Sequence, residues 1–208
     1  MARYTGPVCR LCRREKMKLF LKGERCFSAK CAIEKKKGPP GVAIQKRKNM
    51  SEFGVQLREK QKVKRHYGLM ERQFRLYFEK SAKISGETGT NLLVMLEKRL
   101  DNVIYRLGFA SSRRAARQLV RHAHVQVNGK KVNIPSFQVR LNDQIALVPS
   151  LKENAHVVAA GQVKSQMSTK PWLDINPETK VGTVLKSPVR EDVDIEIEEN
   201  LIVELYNK

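Results

Sequence analysis

The sequence predicts an α+β fold, with a helical first part followed by a mixed domain whose helices pack on a small, mainly antiparallel sheet. Three observations carry this. Apolar residues recur at helical spacing in two stretches: Met70, Phe74, Tyr77 and Phe78, then Leu92, Leu93, Leu96, Leu100, Val103, Ile104 and Leu107. Val125-Gln126-Val127 and Lys130-Lys131-Val132 flank Asn128-Gly129, the strongest short hairpin signal, because a type I′ turn needs φ > 0 twice. Apolar runs at 135–140, 144–148, 172–175, 182–185 and 201–205 read as further strands.

Charge narrows the function. The chain of 208 residues carries 41 Lys plus Arg against 21 Asp plus Glu, a net +20. Residues 1–80 hold 23 basic and 7 acidic side chains, 81–150 hold 11 and 4, and 151–208 hold 7 and 10. Self-repulsion on this scale calls for a polyanionic partner, nucleic acid first. An anionic membrane is the second candidate, but no segment approaches the roughly 20 apolar residues of a span. Met1 to Pro7 lacks the apolar core of a signal peptide, so a cytosolic chain is expected.

All four cysteines lie near the start, as Cys9-x2-Cys12-x13-Cys26-x4-Cys31. Two close pairs separated by a loop suit one tetrahedral Zn2+, and four thiolates leave no open position, so such a site is structural. A disulfide pair, a redox Cys-x-x-Cys and idle thiols are the rivals, and a cytosolic, very basic chain argues against structural disulfides. A redox motif should open a helix beside a βαβ unit, and none follows. Between the pairs, Lys16, Lys18, Lys22 and Arg25 alternate with Met17, Leu19, Phe20 and Leu21, as in a small hairpin or loop. Lys35-Lys36-Lys37-Gly38-Pro39-Pro40-Gly41 cannot be helical and reads as an extended basic strap, after which Lys46-Arg47-Lys48 resumes the cationic run. Residues 1–45 are thus expected to be a zinc knuckle and strap.

Residues 46–91 read as a helical segment. Ser51 is a candidate cap, and a helix rich in cations (Arg58, Lys60, Lys62, Lys64, Arg65) but thin in apolar residues runs to Gly68. The next helix, about 70–83, carries the aromatic stripe, whose spacing favours core packing over base stacking. Gly86 and Gly89 mark a break.

Residues 92–208 read as the α+β domain, with a helix–hairpin module at about 97–160. The apolar helix ends at Gly108, a candidate C′ residue. Ser112 has the chemistry of an N-cap. Arg113, Arg117 and Arg121 follow at i, i+4 and i+8, a guanidinium stripe expected to face outward, while Ala116, Leu119, Val120 and Ala123 pack inward. His122 and His124 border the stripe, and Lys130 and Lys131 continue it onto the hairpin. A solvated basic face on an ordinary α+β unit is the bland alternative; the continuity of cations from helix to hairpin argues against it. Residues 151–167 are weakly helical and interrupted by Gly161; the runs at 172–175, 182–185 and 201–205 should extend the sheet. The acidic stretch Glu191 to Glu199 cannot face phosphate, so it should meet solvent or a basic protein.

No Gly-rich phosphate loop, nucleophile elbow or His-Glu-x-x-His is present, and His66, His122, His124 and His156 are scattered. No enzyme and no small-molecule substrate are expected.

Five segments share one family pattern: Leu57-Arg58-Glu59-Lys60-Gln61-Lys62-Val63-Lys64-Arg65, Glu71-Arg72-Gln73-Phe74, Leu96-Glu97-Lys98-Arg99-Leu100-Asp101-Asn102-Val103, Arg117-Gln118-Leu119-Val120 and Leu201-Ile202-Val203-Glu204-Leu205-Tyr206. Across nearly its whole length the chain resembles the bacterial-type small-subunit ribosomal protein four family, and its helix–hairpin stretch resembles the small RNA-binding domain named after that family. The resemblance implies a structural binder of 16S small-subunit rRNA at a multi-helix junction of the 5′ domain. It further implies nucleation of the subunit body, neighbouring ribosomal proteins and mRNA at the entrance channel as partners, a role in translational accuracy, and a cytoplasmic, ribosomal location. Some members repress their own mRNA. Members occur with and without the cysteines, so the resemblance permits zinc while the spacing argues for it. The chain departs from the family at Val42-Ala43-Ile44, usually Gln-His-Gly, and at Ala123, often Gly.

The expected RNA contacts are Arg3, Arg13, Arg14, Lys22, Arg25, Lys35, Lys36, Lys37, Lys46, Arg47, Lys48, Arg58, Lys62, Arg65, Arg72, Arg113, Arg114, Arg117, Arg121, His122, Asn128, Lys130 and Lys131. Folded RNA is recognised mainly by shape and backbone. Two rivals stand apart. An rRNA-modifying enzyme would need a further catalytic domain, and a zinc-dependent DNA regulator a dimer with half-site spacing.

Overall fold

A computed structural model of the chain describes residues 4–41, 50–151, 153–165, 170–176 and 179–207. The expectations at Arg3, Lys46, Arg47, Lys48 and Val42-Ala43-Ile44 lie outside them. In chain order the elements are helices α1 (Cys9–Glu15), α2 (Glu52–His66), α3 (Glu71–Ser81), α4 (Thr88–Glu97), α5 (Leu100–Arg106) and α6 (Arg113–Arg121), strands β1 (Val125–Val127), β2 (Lys130–Lys131) and β3 (Gln144–Leu147), helix α7 (Ala155–Ser165), strands β4 (Leu173–Asn176) and β5 (Val181–Val184), and helix α8 (Glu199–Asn207). Together they form an α+β fold of two compact units, Met1–Leu92 with Ile195–Lys208, and Leu93–Asp194.

In the first unit Ser51 caps α2, accepting from Gly54 N–H at 3.2 Å. The helix stops where Gly68 turns left-handed, at φ 66°. Phe74, Tyr77 and Phe78 are buried and Met70 is exposed, so the stripe on α3 is core. Tyr206 of α8 completes it, stacking on Phe78 at 4.5 Å and Phe74 at 6.3 Å between centroids. The 201–205 run is therefore helix, not the expected strand. Ile202, Leu205 and Tyr206, at i, i+3 and i+4, turn one face inward, and five residues of mixed apolar character do not distinguish the two periods. Gln56 on α2 donates to Glu204 on α8 at 2.9 Å. α8 also passes so close to α4 that a Cβ on Gly89 would lie 2.7 Å from Glu199 Cβ.

Between the cysteine pairs the chain is a loop at 16–22, as one of the two expected forms, set between α1 and a 3-10 turn, Gly23–Cys26. Val8, Leu19 and Leu21 form a small core there beside Cys12, Cys26 and Cys31. The strap is not extended at its start. Lys35 N–H reaches Cys31 O at 3.1 Å and Lys36 N–H reaches Ile33 O at 2.9 Å, closing a turn.

In the second unit the long apolar period is two helices. Arg99 is extended between α4 and α5 and bridges Gln138, with Val139 N–H on Lys98 O at 3.0 Å and Leu100 N–H on Phe137 O at 2.9 Å. Residues 135–140 therefore satisfy their backbone against this link and form an isolated bridge where a strand was expected. The sheet is wholly antiparallel, in the order β2-β1-β3-β5-β4. Its core joins Leu100, Val103 and Ile104 of α5, and Leu107 just after it, to Val125, Ile145, Leu147, Val184 and the fully buried Trp172. α7 runs unbroken through Gly161, where an interruption was expected.

Candidate nucleic-acid interface

Ser112 caps α6 as its chemistry requires, accepting from Ala115 N–H at 3.3 Å. The stripe that follows does not face outward as a whole. Residues four apart on an α-helix advance about 40° around it, since 3.6 residues make a turn. Arg113 and Arg117 accordingly start on the inner side, 7% and 9% exposed, and only Arg121 emerges. What holds the two inside is a set of acceptors on α5. Arg113 Nε donates to Asn102 Oδ1 at 2.8 Å, and its guanidinium lies 4.5 Å over the Tyr105 ring. Arg117 Nη1 donates to Asp101 Oδ2 at 3.1 Å. Burial lowers the Arg117 pKa, with Asp101 opposing that shift. The outward cations of α6 are Arg114 and Arg121, joined by exposed His122.

The hairpin presents Lys130 and Lys131 to solvent. Asn128 and Gly129 take φ 50° and 76°, as the turn demands. The Asn128 amide is used internally: Nδ2 donates to Asp143 Oδ1 at 2.8 Å and Oδ1 accepts from Gln144 N–H at 2.9 Å. Asp143 in turn accepts from Arg140 N–H at 2.7 Å, so this side chain ties the hairpin to β3.

In the first unit several expected contacts are engaged with carboxylates. Glu15, its side chain wholly buried, meets Arg58 at 3.2 Å and Arg65, and Lys62 pairs with Glu59. Burial raises the Glu15 pKa despite the two guanidiniums. Lys60 and Lys64 converge on Glu71 at 2.6 and 2.7 Å. Arg13 donates to Gly38 O at 3.1 Å, holding α1 to the strap. Arg14, Lys22, Arg25, Lys35, Lys36, Lys37 and Arg72 are exposed.

The thiols of Cys12 and Cys26 are raised in pKa by burial, and the other cysteines add to the shift. Lys22 N–H donates to Cys26 Sγ at 3.3 Å. Among the described residues no three or more His, Cys, Asp or Glu side chains stand as a group that could hold a metal ion.

Family comparison fits this arrangement. Residues 3–97 match the ribosomal protein S4/S9 N-terminal domain, and residues 98–145 match the S4 domain. The chain is 55% identical over 208 residues, all of both chains, to "Small ribosomal subunit protein uS4" of Thermodesulfovibrio yellowstonii, and equally to that of Caldicellulosiruptor saccharolyticus. The protein of the same name from Geobacter sulfurreducens is 53% identical over the same span. The chain belongs to the uS4 family of small ribosomal subunit proteins.

The relatives carry the name of a small ribosomal subunit protein. No helix among the described residues is long and apolar enough to cross a membrane. The junction of the two family matches falls at the α4–α5 link, where the sequence reading missed a buried polar network. Arg106 donates to both oxygens of Glu97, at 3.0 and 2.7 Å, and also pairs with Asp194. Asn102 Nδ2 donates to Glu97 O and Oε2 at 2.9 and 2.7 Å. Arg99 holds Asp101 through Nε and Nη2 at 3.0 and 2.6 Å. The signal was present: five polar residues at 97, 99, 101, 102 and 106 interrupt an apolar helical period with no turn residues.

Proposed function

We propose that this uS4-family chain is a structural, cytoplasmic component of the small ribosomal subunit that binds 16S rRNA at a multi-helix junction of the 5′ domain. There it would nucleate the subunit body beside neighbouring ribosomal proteins, near the mRNA entrance channel, with an effect on decoding accuracy. The observation that carries the reading is α6 with its hairpin. A helix pinned from within by Asp101 and Asn102 keeps Arg114, Arg121, Lys130 and Lys131 on a rigid support. Cations carried on a preformed backbone leave less of the chain to order on meeting phosphate. The exposed cations of the first unit supply further phosphate contacts.

A structural Zn2+ on Cys9, Cys12, Cys26 and Cys31 belongs to the same proposal, supported by the cysteine spacing, the burial of three thiols and the N–H bond to Cys26 Sγ. Metal would have to draw the four sulfurs together, releasing thiol protons as it does.

Filter binding of the full chain to a 16S 5′-domain transcript and to duplex DNA of equal length tests the reading. The transcript should bind at least tenfold tighter, with affinity falling by about one log unit per log salt for each phosphate contacted. Equal affinity for the duplex would favour the DNA-regulator rival, and absence of binding would end the RNA reading.

A further inference from the structure

α6 has a third side. Ala115, Gln118 and Leu119 of α6, with Ser111 before its cap and His122 at its end, open onto a cavity of about 340 Å3. It is lined as well by Asn154, His156 and Val157 at the start of α7 and by Phe109 with Ala110. By helix geometry the exposed Arg114 and Arg121 fall on the stretch of α6 surface between this side and the buried one, next to the lining residues rather than among them.

We propose that this cavity receives one unpaired nucleobase of the bound RNA, whose phosphate lies on Arg114 or Arg121; this rests on the RNA-binding reading above and gives it a site. Size agrees first, because the volume sits at the small end of the roughly 300–1,000 Å3 of ligand pockets, room for a single base. The lining agrees next. Phe109, Leu119 and Val157 make apolar walls, and the rings of His122 and His124, 5.9 Å apart, offer faces on which a base stacks. Among the described residues no hydrogen bond engages the side chains of Ser111, Gln118 or His122, which leaves donors and acceptors for a base edge. Asn154 Oδ1 accepts from His156 N–H at 2.9 Å, which orients the side-chain amide at the cavity. A duplex keeps its base edges paired and cannot enter. A base splayed from a junction can.

Two measurements on the full chain decide it. In an amide NMR titration, AMP, GMP, CMP or UMP at millimolar concentration should shift the Gln118 side-chain amide and the backbone of 118–124, while ribose 5-phosphate should not. In the second, chemical probing of the 5′-domain transcript should show one unpaired base protected by the parent protein. The combined change of Gln118→Ala and His122→Ala, both exposed side chains, should restore its reactivity and weaken binding about tenfold, the order expected for one lost stacking contact. If ribose 5-phosphate shifts the same signals as the nucleotides, the cavity rim takes an anion only and the proposal fails. It fails equally if no signal moves, or if the parent binds the transcript with no base protected. Should the parent bind no RNA at all, the RNA-binding reading falls instead, and the nucleotide titration still judges the cavity.

Discussion

Arg117 Nη1 lies 3.1 Å from Asp101 Oδ2, on a carboxylate that Arg99 already grips through two bonds of 3.0 and 2.6 Å. Two buried guanidiniums thus share one buried carboxylate. Removing its charge takes the shared buried carboxylate away from both guanidiniums, which costs several kcal/mol. Asp101→Asn should lower the stability of the full chain by about 3 kcal/mol in urea unfolding. A loss below about 1 kcal/mol would mean that Arg99 and Arg117 find other partners. Arg117→Lys should act in the same assay, through stability, before it acts on RNA.

Ala123 follows α6 at φ 57°, in left-handed geometry that suits glycine. An L side chain there carries a strain of about 1 kcal/mol or more, partly offset by the freedom glycine brings to the unfolded chain. Ala123→Gly should therefore stabilise the protein by about 0.5–1 kcal/mol, a change that destabilises an ordinary helical position. A lower unfolding midpoint for this variant would contradict the geometry.

Glu71 should make the first unit acid-sensitive. Burial would raise its pKa, but hydrogen bonds from Lys60, Lys64 and Tyr206 overcome that and hold it down at about 2. A folded pKa below the ordinary value of 4.5 means stability that is full above that value and lost as pH falls toward 2. The carboxylate is half exposed, so the effect should be about 1 kcal/mol or less. Denaturation at pH 6 should rank Glu71→Gln below the parent, and the gap should close by pH 2. A gap that stays constant with pH would assign it to packing alone.

Zinc makes the fourth test. Protein purified under reducing conditions should hold one Zn2+ per chain, and Cys26→Ser should release it while the Leu93–Asp194 unit keeps its fold. Elemental analysis that finds no metal in reduced, chelator-free protein would leave the four cysteines as packing residues.

Gly89 should tolerate no side chain. Its would-be Cβ falls 2.7 Å from Glu199 Cβ, below any real contact and against the stiff start of α8. Gly89→Ala should destabilise the first unit by about 1–3 kcal/mol despite alanine's better helix propensity. Unchanged or increased stability would show that α8 can shift.

Local chemistry alone was enough for the sequence to place the caps at Ser51 and Ser112, the turn at Asn128-Gly129, the stop at Gly108 and the core face of α3. Each depends on groups within a few residues of one another, so the signal needs no knowledge of the fold. What tertiary structure decided are the questions whose answer lies with a distant partner. Arg113 and Arg117 turn inward because Asn102 and Asp101 stand across from them, 11 and 16 residues away. Residues 135–140 leave the sheet because the α4–α5 link takes their backbone bonds. The 201–205 run becomes a helix because Phe74 and Phe78 present a face for Tyr206, and only packing separates helix from strand in so short an apolar run.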